Sequence, residues 1–275
     1  VALLSRPPMR RLGVLGWPVS HSRSPVMQNA ALAALGLRDW TYQRLPVPPE
    51  LFAETTRALP AAGFAGANVT IPHKHAALAL ADEASPAARA IGAANTLSFR
   101  DGRILAENTD APGLLRALPW SPEGRTALVL GAGGSARAAA WALRQAGADV
   151  AVLNRTAERA RILAEDLGVR AVDAAGPADL LVNCTSVGLG TETFKDLPVD
   201  DEVIERSACA VDLVYRDGGD TAFIATARRA GREVVDGLEI LVHQGALSLE
   251  LWTGTDAPIE VMRTAARQGR PPPPP

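Results

Sequence analysis

Short apolar runs alternate with longer amphipathic stretches through most of this 275-residue chain. Each apolar run has the length of a buried strand, and most are separated by enough residues for a helix. This alternation is typical of α/β proteins with a largely parallel sheet. We therefore predict strands at 12–16, 40–47, 66–70, 126–130, 149–153, 180–184, 210–214 and 233–235, and a β-hairpin at 95–107. We predict helices at 24–36, 110–118, 158–167, 221–230, 238–251 and 257–268, together with a helix that starts at 48–50 and an Ala-rich helix ending at 147.

The pattern also predicts two domains, divided by the proline- and glycine-containing stretch 119–124. We expect a first α/β domain over 9–118, completed by the C-terminal helices within 238–268. The second domain, 119–237, has the regular strand–helix repeat of a doubly wound, Rossmann-type sheet. The flanks 1–8 and 269–275 are predicted to be disordered, the latter because it ends in five prolines.

Charge and composition exclude several functional classes. The 28 basic and 30 acidic residues give a net charge of -2, which provides no basic footprint for nucleic acid. No apolar run reaches the length of a membrane span, and the first residues lack the features of a secretion signal. The two cysteines, Cys184 and Cys209, fit neither a disulfide framework nor a metal-binding spacing. We expect a cytoplasmic protein without a metal site or a nucleic-acid or membrane partner.

A glycine-rich turn follows the predicted strand 126–130 and precedes a helix. Its residues are Gly131, Ala132, Gly133, Gly134 and Ser135. In a strand–turn–helix unit, glycines allow the backbone to approach a pyrophosphate, whose charge meets the free N–H groups of the helix N-terminus. The turn predicts a dinucleotide site, with a glycine connection that binds nothing as the alternative.

The end of the next strand favours NADP over NAD. Strand 149–153 is followed by Asn154, Arg155 and Thr156, with no carboxylate at that end to hold the ribose hydroxyls of NAD. Arg155 can pair bidentately with a 2′-phosphate, and Arg159, one helical turn further, can assist. A solvated loop arginine is the alternative interpretation of Arg155.

The first domain carries polar residues at strand ends. Ser22 and Ser24 lie at a strand-to-helix junction, which suits a carboxylate ligand, although Ser24 alone could be a helix N-cap. Only two of the 28 basic residues are lysines, Lys74 and Lys195. Lys74 follows the strand 66–70, whereas Lys195 lies in a polar loop. Asp110 follows the hairpin, where a plain helix cap is the alternative.

Taken together, these segments resemble the shikimate dehydrogenase family. The resemblance runs from Gly13 to about Gly254 and depends on many ordered blocks rather than on one motif. The matching blocks are 22–25 (SRSP), 68–74 (NVTIPHK), 92–96 (GAANT), 108–110 (NTD), 131–135 (GAGGS), 154–156 (NRT), 183–186 (NCTS), 212–215 (DLVY), 237–238 (GL) and 244–245 (QG).

The resemblance implies reversible, NADPH-dependent reduction of 3-dehydroshikimate to shikimate in aromatic amino-acid (chorismate) biosynthesis. It implies that Lys74 and Asp110 are the catalytic pair, with Lys74 as the acid–base group. Matching positions imply further contacts. The implied substrate contacts are Ser22, Ser24, Thr70, Asn95, Asp110, Tyr215 and Gln244. The implied cofactor contacts are Gly131 to Ser135, Asn154, Arg155, Thr156 and Arg159, with Leu213 and Gly237 near the nicotinamide.

Three alternative functions stay open at this point. A quinate or dual quinate/shikimate dehydrogenase would share the same blocks, and the loop 216–220 departs from the family pattern next to Tyr215. A folate-type dehydrogenase and a catalytically silent homologue with the same fold fit the blocks less well. A small-molecule substrate is the expected partner, and a homodimer is the expected assembly.

Overall fold

The computed structural model describes residues 9–189, 193–216 and 218–269. The predicted disordered flanks fall outside these ranges except for Gly269, which instead caps the last helix with φ of 66°. The chain divides into two compact units. Of the described residues, unit 1 comprises 9–89, 93–109 and 245–269, and unit 2 comprises 90–92 and those within 110–244.

Twelve strands lie in the described ranges, six in each unit. In unit 1 they are β1 (Arg10–Gly16), β2 (Trp40–Pro46), β3 (Phe64–Val69), β4 (Glu83–Ala84), β5 (Thr96–Arg100) and β6 (Arg103–Glu107). In unit 2 they are β7 (Thr126–Leu130), β8 (Asp149–Leu153), β9 (Arg170–Ala171), β10 (Leu180–Asn183), β11 (Cys209–Asp212) and β12 (Glu233–Val235).

Eleven α-helices connect these strands in the described ranges. They are α1 (Ser24–Ala34), α2 (Phe52–Ala58), α3 (Lys74–Leu80), α4 (Pro86–Ile91), α5 (Asp110–Ala117), α6 (Gly134–Gln145), α7 (Ala157–Leu167), α8 (Asp201–Arg206), α9 (Ala222–Arg229), α10 (Gly237–Thr253) and α11 (Ile259–Gln268). No helix among the described residues is both long and apolar enough to cross a lipid bilayer.

The sheet of unit 1 is mixed. Its strand order is β2-β1-β3-β5-β6-β4, with β1 parallel to β2 and β3 and with β5 antiparallel to both β3 and β6. The predicted hairpin is present and turns at Asp101, which takes a φ of 51°, and Gly102. Because β5 is antiparallel, its first residues lie at the same edge of the sheet as the last residues of β1, β3 and β6.

The C-terminal helices belong partly to unit 1. Residues 245–269 are grouped there, and α11 packs against α1. The guanidinium of Arg23, which is buried just before α1, donates to Ala266 O at 2.8 Å. This contact joins the Ser22–Ser24 turn to α11, so the last helix supports the turn that carries both predicted substrate serines.

The sheet of unit 2 is entirely parallel. Its order is β12-β11-β10-β7-β8-β9, which is the doubly wound order 3-2-1-4-5-6 counted from β7. Apolar residues of α6 and α7 cover one face, and those of α9 and the 194–199 segment cover the other. The predicted Rossmann-type α/β architecture is therefore confirmed.

One helix is grouped differently from the sequence prediction. Residues 110–118 were assigned to the first domain, but α5 belongs to unit 2 because it packs against α6. Three short helices, α3, α4 and α8, and two two-residue strands, β4 and β9, were also missed. Elements of two to seven residues are too short to give a hydrophobic period.

Candidate functional site

The glycine turn lies at the switch point of the unit 2 sheet, between β7 and β10. A dinucleotide binds at this crevice in doubly wound proteins, outside the carboxyl ends of the strands. Gly131 follows β7 with φ of 112°, a conformation that L side chains rarely adopt. A Cβ on Gly131 would lie 3.2 Å from Thr185 Cγ2 and 3.3 Å from the backbone carbon of Cys184, just beyond β10. The positive φ therefore favours glycine, and a side chain here would also require its neighbours to shift by a few tenths of an ångström.

The N-terminus of α6 is built to receive an anion. Gly133 is the extended N-cap residue and Gly134 begins the helix, so the N-cap residue has no side chain with which to cap the first N–H groups. The space over Gly133 is open, because a Cβ there would meet no atom within 4 Å. The turn thus exposes helix N–H groups that can bind a pyrophosphate, with Ala132 and Ser135 on either side.

Two arginines beyond β8 are available for a phosphate. Asn154 Nδ2 donates to Thr156 O at 2.9 Å, which holds the turn that carries Arg155. Arg155 and Arg159 are both exposed, and within the described residues neither guanidinium group has an ion pair or a hydrogen bond. Arg161 on the same helix instead approaches Glu158 at 3.7 Å and Asp173 at 3.6 Å. The two unpaired guanidinium groups suit a 2′-phosphate.

The structure brings Leu213 and Gly237 together. A Cβ on Gly237 would lie 2.6 Å from Val214 O and 2.8 Å from Leu213 O, so α10 begins directly against the loop that follows β11. Tyr215 is half-buried two residues further along this loop. Asp217, in the atypical 216–220 loop, lies outside the described residues.

Asp212 anchors that loop and was missed from the sequence. Its carboxylate is fully buried and accepts hydrogen bonds from Thr221 Oγ1 at 2.6 Å, Asn183 Nδ2 at 2.9 Å and the Val214 N–H at 3.0 Å. Burial raises the pKa of Asp212 to about 6, although these three donors oppose the shift. Asp212 therefore fixes the backbone between Leu213 and Tyr215. Its sequence signals were an acid at the end of an apolar strand and its place in the matching block 212–215.

In unit 1, four predicted substrate contacts lie near the shared edge of the sheet. Ser22 and Ser24 follow β1, Thr70 follows β3, and Asn95 directly precedes β5. The Thr70 N–H donates to Leu15 O at 2.9 Å, and the Val69 N–H donates to Asn95 O at 2.8 Å. Ser22, Ser24 and Asn95 are buried, with at most 6% of each residue exposed, whereas Thr70 is half-buried.

Lys74 is the first residue of α3 and is half-buried. Its carbonyl accepts a hydrogen bond from Ala94 N at 2.9 Å, which joins it to the segment that carries Asn95. The preceding residue, His73, is buried and stacks on Phe52 with ring centroids 4.4 Å apart, and its Nε2 donates to Val47 O at 2.7 Å. Burial lowers the pKa of His73, and its stacking and hydrogen bond fix the start of α3.

Asp110 and Gln244 belong to unit 2 and lie on neighbouring helices. Asp110 begins α5, and Gly113, one turn later, faces α10. A Cβ on Gly113 would lie 2.8 Å from both the Cβ and the backbone nitrogen of Gln244. This close packing places the turn that begins with Asp110 against the turn that carries Gln244.

Sequence reasoning missed a buried polar network in unit 1. It consists of Tyr42, Asn68, Thr96, Thr109 and Ser248, together with the predicted residue Asn95. Polar residues within otherwise apolar strands were the available signal. Among the described residues, no three His, Cys, Asp or Glu side chains are grouped so that they could hold a metal ion.

A parallel sheet of order 3-2-1-4-5-6 with a glycine turn at its switch point defines a dinucleotide-binding α/β protein, a class rich in NAD- and NADP-dependent oxidoreductases. Three family models match successive parts of the chain. Residues 14–97 match the shikimate dehydrogenase substrate binding domain, residues 116–185 match shikimate / quinate 5-dehydrogenase, and residues 237–267 match the shikimate 5′-dehydrogenase C-terminal domain.

Individual proteins give the same assignment. A shikimate dehydrogenase (NADP(+)) of Thermus thermophilus is 46% identical over 264 residues, covering 94% of this chain and 98% of that protein. The protein of the same name from Methanothermobacter thermautotrophicus is 42% identical over 271 residues, covering 93% and 95%. The crystal structure of a Thermus thermophilus shikimate 5-dehydrogenase in complex with NADP(H) and shikimate matches with a TM-score of 0.87 at 45% identity, covering 95% of this chain and 100% of that one. The chain belongs to the shikimate dehydrogenase family, as the sequence blocks predicted.

Proposed function

We propose that this chain catalyses the reversible, NADPH-dependent reduction of 3-dehydroshikimate to shikimate. The observation that carries the proposal is the likeness to relatives named shikimate dehydrogenase (NADP(+)), at 42–46% identity over more than nine-tenths of both chains. The glycine turn at the switch point and the two arginines beyond β8 support it independently.

Lys74 is proposed as the acid–base group. When bound, NADPH supplies a hydride to the ketone carbon of 3-dehydroshikimate, and negative charge develops on the ketone oxygen. The Lys74 ammonium stabilises this charge and donates a proton to the oxygen, giving the hydroxyl of shikimate. The resulting neutral amine then takes a proton from solvent. An arginine could stabilise the charge but could not release the proton, because its pKa is above about 12.

Asp110 is proposed to hold Lys74 in place and to accept a hydrogen bond from a substrate hydroxyl. Ser22 and Ser24 are proposed to bind the substrate carboxylate through their hydroxyls, since they lie at a strand-to-helix junction with nearby backbone N–H groups. The remaining hydroxyls of the ring are assigned to neutral polar side chains. These are Thr70, Asn95, Tyr215 and Gln244.

The cofactor is proposed to be NADP. Gly131 to Ser135 would hold the pyrophosphate, Asn154 and Thr156 would shape the adenosine end, and Leu213 and Gly237 would lie by the nicotinamide. Arg155 and Arg159 would bind the 2′-phosphate, whereas no carboxylate at the end of β8 is placed to bind the ribose hydroxyls of NAD. As a member of this family the enzyme would act in aromatic amino-acid biosynthesis.

Oxidation of quinate is the second candidate function, because the model that matches residues 116–185 covers both shikimate and quinate 5-dehydrogenases. A cytoplasmic location and a homodimeric assembly are also proposed. Size-exclusion chromatography with light scattering measures the assembly.

The test is a set of initial rates with shikimate and with quinate, each with NADP and with NAD. We expect kcat/KM for shikimate with NADP to exceed each of the other three values by at least about tenfold, about 1.4 kcal/mol of discrimination. Faster oxidation of quinate than of shikimate would overturn the substrate assignment. A preference for NAD would overturn the cofactor assignment.

A further inference from the structure

Three buried hydroxyls form a closed cluster inside unit 1. Thr96 Oγ1 lies 2.9 Å from Ser248 Oγ and 3.1 Å from Thr109 Oγ1, and the last two oxygens are 3.1 Å apart. This hydroxyl cluster of Thr96, Thr109 and Ser248 is at most 2% exposed. Bulk water therefore has no access with which to replace a lost partner.

Asn68 and Tyr42 connect the hydroxyl cluster to the sheet. Asn68 Nδ2 donates to Ser248 Oγ at 2.8 Å and to the carbonyl of Asn95 at 3.2 Å, while Tyr42 OH donates to Asn68 Oδ1 at 2.8 Å. Because the Asn95 carbonyl can only accept, the orientation of the Asn68 amide is fixed. In the bond between Asn68 and Ser248, Asn68 Nδ2 is therefore the donor and Ser248 Oγ is the acceptor.

The hydroxyl cluster also fixes the side chain of Asn95. Asn95 Oδ1 accepts from the Thr109 N–H at 2.7 Å, and Asn95 Nδ2 donates to Thr109 Oγ1 at 2.9 Å. Thr109 Oγ1 in turn bonds to Ser248. The Asn95 amide is therefore linked, through Thr109 Oγ1, to a hydroxyl 153 positions later in the chain.

Two further groups of the proposed site are tied to the hydroxyl cluster through the backbone. Thr109 immediately precedes Asp110. Ser248 lies four residues after Gln244 on α10, so both residues are on the same face of that helix. The Ser248 hydroxyl is thus linked to Asn95 by hydrogen bonds through Thr109. Thr109 is bonded to Asp110 in sequence, and Ser248 shares α10 with Gln244.

We propose that Ser248 is a positioning residue of the substrate site, which holds the Asn95 amide in the orientation that binds a substrate hydroxyl. Ser248 acts through Asn95 and Thr109 and does not itself touch substrate. The proposal rests on the proposed function, because Asn95 is a substrate contact only in that account.

The test is the effect of Ser248→Ala on the KM values for shikimate and for NADP. We expect the KM for shikimate to rise by about fivefold or more, with the KM for NADP within about twofold of wild type. Tyr42→Phe, which removes the donor at the far end of the network, should raise the KM for shikimate by a smaller factor. Thr253→Ala is the matched control, because its hydroxyl lies on the same helix but bonds to Leu249 O and to Thr255.

Melting temperatures of all variants show whether a KM change merely follows lost stability. A Ser248→Ala enzyme with an unchanged KM for shikimate, or with both KM values raised by the same factor, would overturn the proposal. If Ser248→Ala does not fold, Tyr42→Phe decides, and an unchanged KM for shikimate in that variant overturns it. Absence of shikimate oxidation in the wild-type enzyme would instead contradict the proposed function itself and, with it, this role.

Discussion

Arg155 differs from its neighbour Arg161 in its partners rather than in its exposure. Both guanidinium groups are exposed, but Arg161 lies within ion-pair distance of Glu158 and Asp173, whereas Arg155 has no ion pair among the described residues. A guanidinium group without an ion pair can bind a phosphate without first losing another partner. This difference gives the choice of NADP a physical basis at the level of single residues.

Arg155→Ala should weaken NADP binding by about tenfold or more, because a charge-assisted hydrogen bond is worth about 1.5–3 kcal/mol. NAD lacks the 2′-phosphate, so its dissociation constant should change by less than about twofold. Titration of both cofactors by fluorescence or calorimetry measures the two constants. Arg161→Ala is the matched control, since it removes an exposed arginine of α7 that is already paired. Equal losses for NADP and NAD in Arg155→Ala would contradict 2′-phosphate recognition.

The roles of residues whose signal lies within a few sequence positions were predictable. The roles of residues that contact their partners only in the folded chain were not. Arg155 and the glycine turn were found because their chemistry is encoded within a few positions of a strand end. Ser248 was missed because its partners Asn68 and Thr96 lie 180 and 152 positions away. A single serine in an apolar helix carries no local signal of such a network.

At the scale of the elements, the close approach of α5 to α10 depends on Gly113. The Cβ that alanine would add lies 2.8–2.9 Å from the backbone nitrogen and Cα of Gln244, and these atoms cannot move aside as a flexible side-chain tip can. The two helices must therefore separate, and Gln244 must shift with α10.

Gly113→Ala should raise the KM for shikimate and lower the melting temperature by several degrees. Overpacking of this kind costs about 1–3 kcal/mol, which outweighs the roughly 1 kcal/mol that alanine contributes to a helix relative to glycine. Gly176→Ala is the control, because a Cβ there would meet no atom within 4 Å. A Gly113→Ala enzyme with wild-type KM and melting temperature would show that this packing does not position Gln244.

Element prediction succeeded for the long amphipathic helices and for most of the short apolar runs. The bounds of β7, β8 and β12 agree with the sequence prediction at both ends. The helix α3 was missed although it begins at Lys74, since seven residues give fewer than two turns of periodicity. The residue most important to the proposed chemistry therefore lay in a predicted loop, and its motif rather than its secondary structure identified it.

At the scale of the whole molecule, the proposed chemistry is distributed over both units. Lys74 and the serine turn belong to unit 1, and the glycine turn and Arg155 belong to unit 2. Asp110 and Gln244 are the residues at which the chain enters and leaves the main segment of unit 2. The central claim is that Lys74 donates the proton that accompanies hydride transfer from NADPH.

The most direct measurement of this claim is the turnover of 3-dehydroshikimate with NADPH by Lys74→Arg, followed by NADPH absorbance together with shikimate formed. Arginine keeps the positive charge but cannot release a proton at neutral pH, so we expect kcat to fall by about 10²–10⁴ with the dissociation constant for NADPH nearly unchanged. Lys195→Arg, the same change at the other lysine, an exposed residue of unit 2, should leave kcat unchanged. Turnover near the wild-type rate in Lys74→Arg would contradict the account.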